Sequence, residues 1–409
     1  MHILTRRSFI KSAAVFSALG VAPQFITRTA EAAAQTIRGF KDDRVLVVVQ
    51  LGGGNDGLNT LVPHSNDAYY NARPKLGLKA DRLLKISDDI ALNSRLEGLM
   101  RLYDDGKLGI IQGVGYPNPE RSHFRSMEIW HTASDSDQFL SSGWIGRYFD
   151  HECSGTARPQ AGVAIGKERP QAFDGVKGFG VAFENPNNFG WEAGDGADNE
   201  INFAKANARD LPVESGSNLD FLRHVTSDAI MSSKEVQDAS MHAGTMEAPR
   251  RQALGPQLET VAALIRGDLQ TRIYYVSAGG FDTHANQLGQ HDNLLKGIGD
   301  ALLAFQQRLD SDGTAGRVTT MVFSEFGRRV KENKSGGTDH GTAAPMFVLG
   351  NNVKPGLYGS YPSLTTLDGG DLIHTVDFRQ IYSAVLNDWF AVDPKSVLGQ
   401  EFTKLSVIA

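Results

Sequence analysis

The chain has a single cysteine, Cys153, in 409 residues. No intramolecular disulfide can therefore hold it together, and a lone thiol in an oxidising compartment reads as a small buried hydrophobe. It also lacks an excess of positive charge: the formal net charge is −6. Nucleic acid and anionic lipid are excluded as partners on that count, because both need a basic face. Long apolar runs are missing as well. The most apolar amino-terminal stretch, Ser12 to Ile26, is broken by Gly20 and Pro23 and is too short to cross a bilayer. No internal repeat or low-complexity segment is present. What remains, 41% hydrophobic and 22% charged residues, is the composition of a soluble globular protein, and the length allows one large core or two ordinary ones.

The amino terminus reads as a processing segment. Thr5-Arg6-Arg7-Ser8-Phe9-Ile10-Lys11, the mildly apolar stretch after it and Ala30-Glu31-Ala32-Ala33-Ala34 have the layout of a twin-arginine export signal. Cleavage after Ala34 would remove four positive charges and one negative, moving the net charge from −6 to −9. The expectation is a leader over residues 1–34, a mature domain over 35–409, a periplasmic or otherwise exported location, and the export machinery as a partner.

Four short apolar runs, 45–51, 108–114, 272–277 and 318–324, read as strands, and each stops at glycines or polar residues. Helices are expected between them, at 94–104, from Pro119 onward, at 142–150, 257–266 and 287–309, with an amphipathic helix near Val376–Trp389. Alternating strands and helices predict an α/β fold with a mainly parallel sheet, whose ligands bind beyond the strands' carboxyl ends. Residues 167–255 lose the rhythm and read as an inserted cap.

The first strand runs into Gly52-Gly53-Gly54-Asn55-Asp56-Gly57, which satisfies G-x-G-x-x-G. A nicotinamide fold would next need a long helix, yet Pro63 arrives within six residues, so a tight loop presenting Asn55 and Asp56 is the simpler reading. After the second strand come Arg121, Ser122, His123 and Arg125 at a helix start, where free N–H groups and guanidinium would attract an anion. After the third come Asp282 and His284, two apart and so on one side of an extended segment. After the fourth, Ser324-Glu325-Phe326-Gly327 leads through a basic loop to Asp339-His340-Gly341 and back into an apolar run. Arg328, Arg329, Lys331 and Lys334 read there as a solvated face. Converging loops would bring carboxylates, imidazoles and no thiol into one cleft, a donor set for a hard or borderline divalent ion: zinc, manganese, calcium or magnesium.

The leader together with GGGNDGLNTLVP, RSHFRSMEIWHTA, SAGGFDTHANQ and SEFGRRVKENKSGGTDHGTAAPMFVLG resembles the bacterial family catalogued as domain of unknown function 1501. That family is similar, more distantly, to the alkaline phosphatase and sulfatase superfamily. The resemblance implies metal ligands at Asp56, Asp282, His284, Glu325, Asp339 and His340 and Ser122 as nucleophile; Arg121, steering the anion, and His123 are the further catalytic residues expected. Where the superfamily has an Asp followed by His, this chain has Glu325 followed by Phe326. Three functions stand as expectations: an exported metal-dependent hydrolase of an anionic phosphate or sulfate ester, a catalytically silent envelope binding or assembly protein of the same fold, and, remotely, a nicotinamide-dependent oxidoreductase.

Overall fold

The computed structural model describes Phe40 and residues 42–153, 159–176, 180–186, 235–239 and 254–409; the expected leader and most of the expected cap lie outside these residues. In chain order the strands are β1 (Val45–Leu51), β2 (Leu61–Val62), β3 (Leu83–Lys85), β4 (Ala91–Asn93), β5 (Leu108–Gly115), β6 (Gly162–Ile165), β7 (Val181–Phe183), β8 (Ile273–Ala278), β9 (Val318–Ser324), β10 (Ala344–Leu349), β11 (Gly356–Tyr358), β12 (Leu367–Asp368), β13 (Asp371–Leu372) and β14 (Val376–Asp377). The helices are α1 (Gly57–Thr60), α2 (Asp67–Ala72), α3 (Glu97–Asp104), α4 (His123–Thr132), α5 (Trp144–Glu152), α6 (Leu254–Arg266), α7 (Gln287–Ser311), α8 (Phe378–Ala384) and α9 (Pro394–Leu398).

Nine strands make one sheet in the order β11-β5-β10-β9-β1-β8-β6-β7, with β14 also on β5. All pairings are parallel except those of β10, which runs antiparallel to both β9 and β5. The sheet is covered on both faces, which is why β1 is apolar without alternation. Val45, Val47, Val49 and Leu51 face a core built with α3, α6 and α7, while Leu46 and Val48 face one built with α4, α5, α8 and α9.

Register then places the loops. Leu51 lies level with Ala278 on one side and with Ser324 on the other, so β1, β8 and β9 end together at one edge. Val114, near the end of β5, pairs with Ala344 at the start of β10, which brings the approach to α4 to the same edge. The convergence expected of the four strand-end loops is therefore met.

Helix α4 is anchored there by aromatic packing. The indole of Trp130 stacks between Phe323 (4.7 Å) and Phe378 (4.3 Å), and its N–H donates to the Glu325 carbonyl at 2.8 Å. Removing such a buried ring costs about 3–5 kcal/mol in other cores, so the placement of α4 on β9 is firmly determined.

Four expectations change. Helix α4 begins at His123 and not at Pro119, because Glu120 Oε1 accepts from the N–H groups of Arg121 and Ser122 and holds the preceding loop in its own turn. Val376 and Asp377 add a short strand to β5, and the following helix is buried nearly throughout instead of amphipathic. Within the expected cap, Val181–Phe183 is the edge strand of the main sheet. The G-x-G-x-x-G stretch leads only to the single turn α1 and then β2, so no crossover helix follows it. Its glycines serve close approach: at Gly53 (φ 117°) a Cβ would lie 2.5 Å from the Asp282 nitrogen, and at Gly54 (φ 73°) 2.3 Å from the Phe326 ring.

Candidate metal centre at the carboxyl edge of the sheet

Three histidines point the same nitrogen at one carboxylate. Nε2 of His284 and of His340 each lie 3.0 Å from Asp282 Oδ1 and 3.0 Å from each other, and Nε2 of His123 lies 3.6 Å from Asp282 Oδ2. Among the described residues, His123, Asp282 and His340 each bring a ligand atom within 4.8 Å of the others.

The opposite nitrogens explain the orientation. His340 Nδ1 is 2.8 Å from the Arg121 carbonyl, which can only accept, so the proton of the neutral ring is on Nδ1. His123 Nδ1 is 2.8 Å from Glu325 Oε1, and His284 Nδ1 is 3.3 Å from Asp339 Oδ1. Three neutral imidazoles held this way turn three lone pairs toward an acceptor. A cation at that point satisfies them, and backing Nδ1 with a carboxylate or carbonyl is how metal-binding histidines are oriented. Ligand atoms around a tetrahedral zinc with bonds of about 2.0–2.1 Å lie roughly 3.3 Å apart, close to the 3.0 Å separations among His284, His340 and Asp282 Oδ1, while His123 stands farther off, in a group spread over up to 4.8 Å.

Arg328 supports the cluster from below. Its guanidinium is 1% exposed and donates to the carbonyls of Gly54 (2.7 Å), Thr338 (2.9 Å), Phe281 (3.1 Å) and Gly53, and to Asp282 Oδ1 (2.6 Å). Burial would raise the Asp282 carboxyl, but the bond and the charge of Arg328 outweigh it and hold it down to about 2. The bond that His123 donates to Glu325 raises the His123 ring. The Asp339 carboxyl is lowered by its bond from Asn333 and then by His284.

The expected residues thus divide. Asp282, His284 and His340 meet, and His123, expected beside the nucleophile, joins them as a fourth donor. Phe326 packs against His123 (4.9 Å) and His340 (4.8 Å), so a ring from α4 stands beside the position where a histidine was expected in the chain. Glu325 and Asp339 were expected as ligands. Glu325 is 2% exposed and accepts from His123, from the Gly53 N–H (2.8 Å) and from Ser324 (3.2 Å), so it stands behind an imidazole, as does Asp339. Ser122 is the N-cap of α4, exposed and with no side-chain capping bond. Arg121 pairs with Asp371 at 3.0 Å beside a cavity of about 730 Å³.

Asp56 and Asn55 face elsewhere. Asp56 is fully buried against Arg73 (2.6 Å) and Gln287, with Oδ1 left without a hydrogen-bond partner, and Asn55 bonds Thr60 (3.0 Å) and His291 (2.8 Å). Burial favours the neutral acid, but Arg73 prevails and lowers the Asp56 carboxyl. Its charge is met by a guanidinium in place of a metal ion. Arg73 carried no signal in a polar stretch, and Arg328 sat in a run that reads as solvated; partners far along the chain bury both.

The fold and site define a three-layer α/β protein with a histidine-rich, carboxylate-centred cluster at the carboxyl edge of its sheet. Residues 201–391 match the model of the family described as "Protein of unknown function (DUF1501)", the family its motifs resemble. Similar solved structures include a protein in the alkaline phosphatase superfamily from Vibrio parahaemolyticus (10% identity, TM-score 0.40, 98% of this chain and 80% of that one). A sulfatase from Pseudoalteromonas sp. (9%, 0.41, 98% and 76%) and the C-terminal periplasmic domain of EptC from Escherichia coli (10%, 0.41, 90% and 90%) are also similar. No curated protein sequence matches the chain.

Two outcomes follow from the buried charges. Arg73→Met should lower stability by about 3–5 kcal/mol, because it strands a buried carboxylate, and Asp56→Leu added to it should recover part of that loss. Urea midpoints check this, and a double variant no better than the single would contradict it. His291, 1% exposed, is depressed to about 4 by burial, so its neutral form is the folded one. Its contribution is complete above pH 6.5 and is lost as pH falls toward 4, by roughly 3 kcal/mol in all. The slope of unfolding free energy against pH over that window should be shallower in His291→Gln than in the wild type; equal slopes would refute the assignment.

Proposed function

We propose that the protein is a metal-dependent hydrolase of phosphate or sulfate esters, exported through its twin-arginine leader. The carrying observation is the set of three Nε2 atoms aimed at Asp282, each with Nδ1 tied to an acceptor. His123, Asp282, His284 and His340 would hold one ion, and imidazole-rich donors favour zinc over calcium or magnesium. Such an ion supplies Lewis acidity toward an ester oxygen and activates bound water.

The chain's own groups do the rest. Glu325 and Asp339 fix two imidazoles in the ligating tautomer. Ser122 offers an uncommitted hydroxyl next to His123, at the amino end of a ten-residue helix whose free N–H groups suit an anion. Arg328 keeps Asp282 ionised, and Arg121 holds His340 through its carbonyl while its side chain stays with Asp371. Because Arg73 already balances Asp56, one ion is expected and not two.

A second reading, a catalytically silent envelope protein, is favoured by that same ion pair and by Phe326 in the ligand run. The two readings part on turnover. Purified mature protein should carry about one equivalent of metal, lost in His340→Ala and Asp282→Asn, kept in Asp56→Asn, and bound about 10–100-fold more weakly in Glu325→Gln. Hydrolysis of simple phosphate or sulfate esters should fall with Ser122→Ala. Metal binding without turnover would leave the scaffold reading; no metal in the wild type would end the hydrolase one.

Among the described residues no helix is long and apolar enough to cross a membrane. The export reading rests on the sequence at Arg6 and Arg7: replacing both with lysine should keep the protein in the cytoplasm, and unchanged fractionation would disprove the leader.

A further inference from the structure

The loop that backs His340 is exposed. Glu120, Arg121 and Ser122 all face solvent, yet the Arg121 carbonyl must stay 2.8 Å from His340 Nδ1 if the lone pair on Nε2 is to face the cluster. The peptide group between Arg121 and Ser122 is held at both ends: the Ser122 N–H donates to Glu120 Oε1 (3.1 Å), and the carbonyl accepts from His340. Such a plane can still swing about its flanking Cα atoms, and an unburied loop has no packing to stop it. The restraint comes from the side chain. Arg121 Nη1 is 3.0 Å from Asp371 Oδ2, and among the described residues Asp371 is the one carboxylate paired with Arg121.

Asp371 is itself firmly placed. Strands β12 and β13 form a hairpin with Asp368 opposite Asp371, and Gly369 (φ 57°) and Gly370 (φ 92°) supply the two left-handed positions that its two-residue turn requires. The next residue, Leu372, is buried with Leu58, Val62, Val330 and Ala343, and its carbonyl accepts from the hydroxyl of Thr342, two residues beyond His340. Asp371 is therefore 3% exposed although it and Arg121 both line the cavity of about 730 Å³. Its other oxygen, Oδ1, lies 3.4 Å from Arg329 Nε, and the Arg329 N–H donates to the Asp339 carbonyl at 3.0 Å. One carboxylate thus spans the loop before α4 and the excursion after β9. Its ion pairs go to the two arginines and to none of the four donors, and a buried carboxylate is costly to leave unpaired, so both contacts are strongly favoured.

From this arrangement we propose that Asp371 is a positioning residue for the metal centre: acting through Arg121, it fixes the carbonyl that orients His340 and so sets how tightly His123, Asp282, His284 and His340 hold a divalent ion. The hairpin and Arg329 hold the carboxylate still, and Arg121 passes its position on. The inference rests on the metal-binding part of the reading above and does not depend on turnover. A group that directly backs a ligand ring is worth about 10–100-fold in metal affinity; Asp371 acts one residue further out, so the low end of that range, about tenfold, is expected.

The test titrates the full mature chain, stripped with a chelator, with Co2+, whose visible absorption bands report the geometry of its ligands. Asp371→Asn keeps the shape and removes the charge; it should raise the Kd for Co2+ about tenfold and shift the bands at saturation. Arg121→Met, at a half-exposed position where folding is insensitive to the change, should do the same while leaving its carbonyl in the chain. Because the two residues act along one route, the double variant should stay within about twofold of either single. Wild-type affinity in Asp371→Asn, a loss that Arg121→Met does not share, effects that multiply in the double variant, or weaker binding with unaltered bands each overturns the positioning role while leaving the metal centre standing. A wild type that takes up no Co2+ overturns the inference together with the metal-dependent reading.

Discussion

One buried guanidinium carries the geometry of the sheet's carboxyl edge. Arg328 takes backbone carbonyls from the loop after β1, the loop after β8 and the segment before His340, and adds the carboxylate at the centre of the cluster. Strand register brings the three loops level, but register alone does not fix loops against each other. A planar cation with donors on three nitrogens does, because each carbonyl that accepts from it must lie in or near one plane. Taking the charge out of water is costly, and the set of acceptors around it offsets that cost.

The donor rings hang from this frame at different depths. Asp282 and His284 share a loop, His340 closes the long excursion after β9, and His123 arrives on a helix nailed to the core by Trp130. Behind them stands a layer of Glu325, Asp339 and the Arg121 carbonyl. Arg73 and Asp56 form a separate buried pair to one side, which leaves the cluster as a single centre among the described residues.

The sheet was readable because β1, β5, β8 and β9 are buried on both faces and end at glycine or polar residues, a pattern that needs no partner to be seen. The carboxyl-edge location of the site followed from strand–helix alternation. Less visible was anything that depends on who sits opposite. Arg328 looks like its solvated neighbours until Gly53, Gly54 and Phe281 surround it. Glu325, expected as a ligand, stands behind His123, expected as a catalytic residue, because sequence order does not say which of two adjacent loops reaches further in. Glu120 capturing two N–H groups delayed α4 by a turn, and Val181–Phe183 is too short to announce itself as a strand. The cleft's composition was legible; its layering was not.

The wide spacing of the donors along the chain has its own consequence. His123 precedes β6 and the whole region up to α6, whereas His340 follows β9, so no partial fold made from one half of the chain owns the cluster. An ion would bind only after both halves have closed on the sheet, and its binding energy would add to the stability of the finished state alone. Metal content would then act as a seal of completion, distinguishing chains that have finished folding from those that have not.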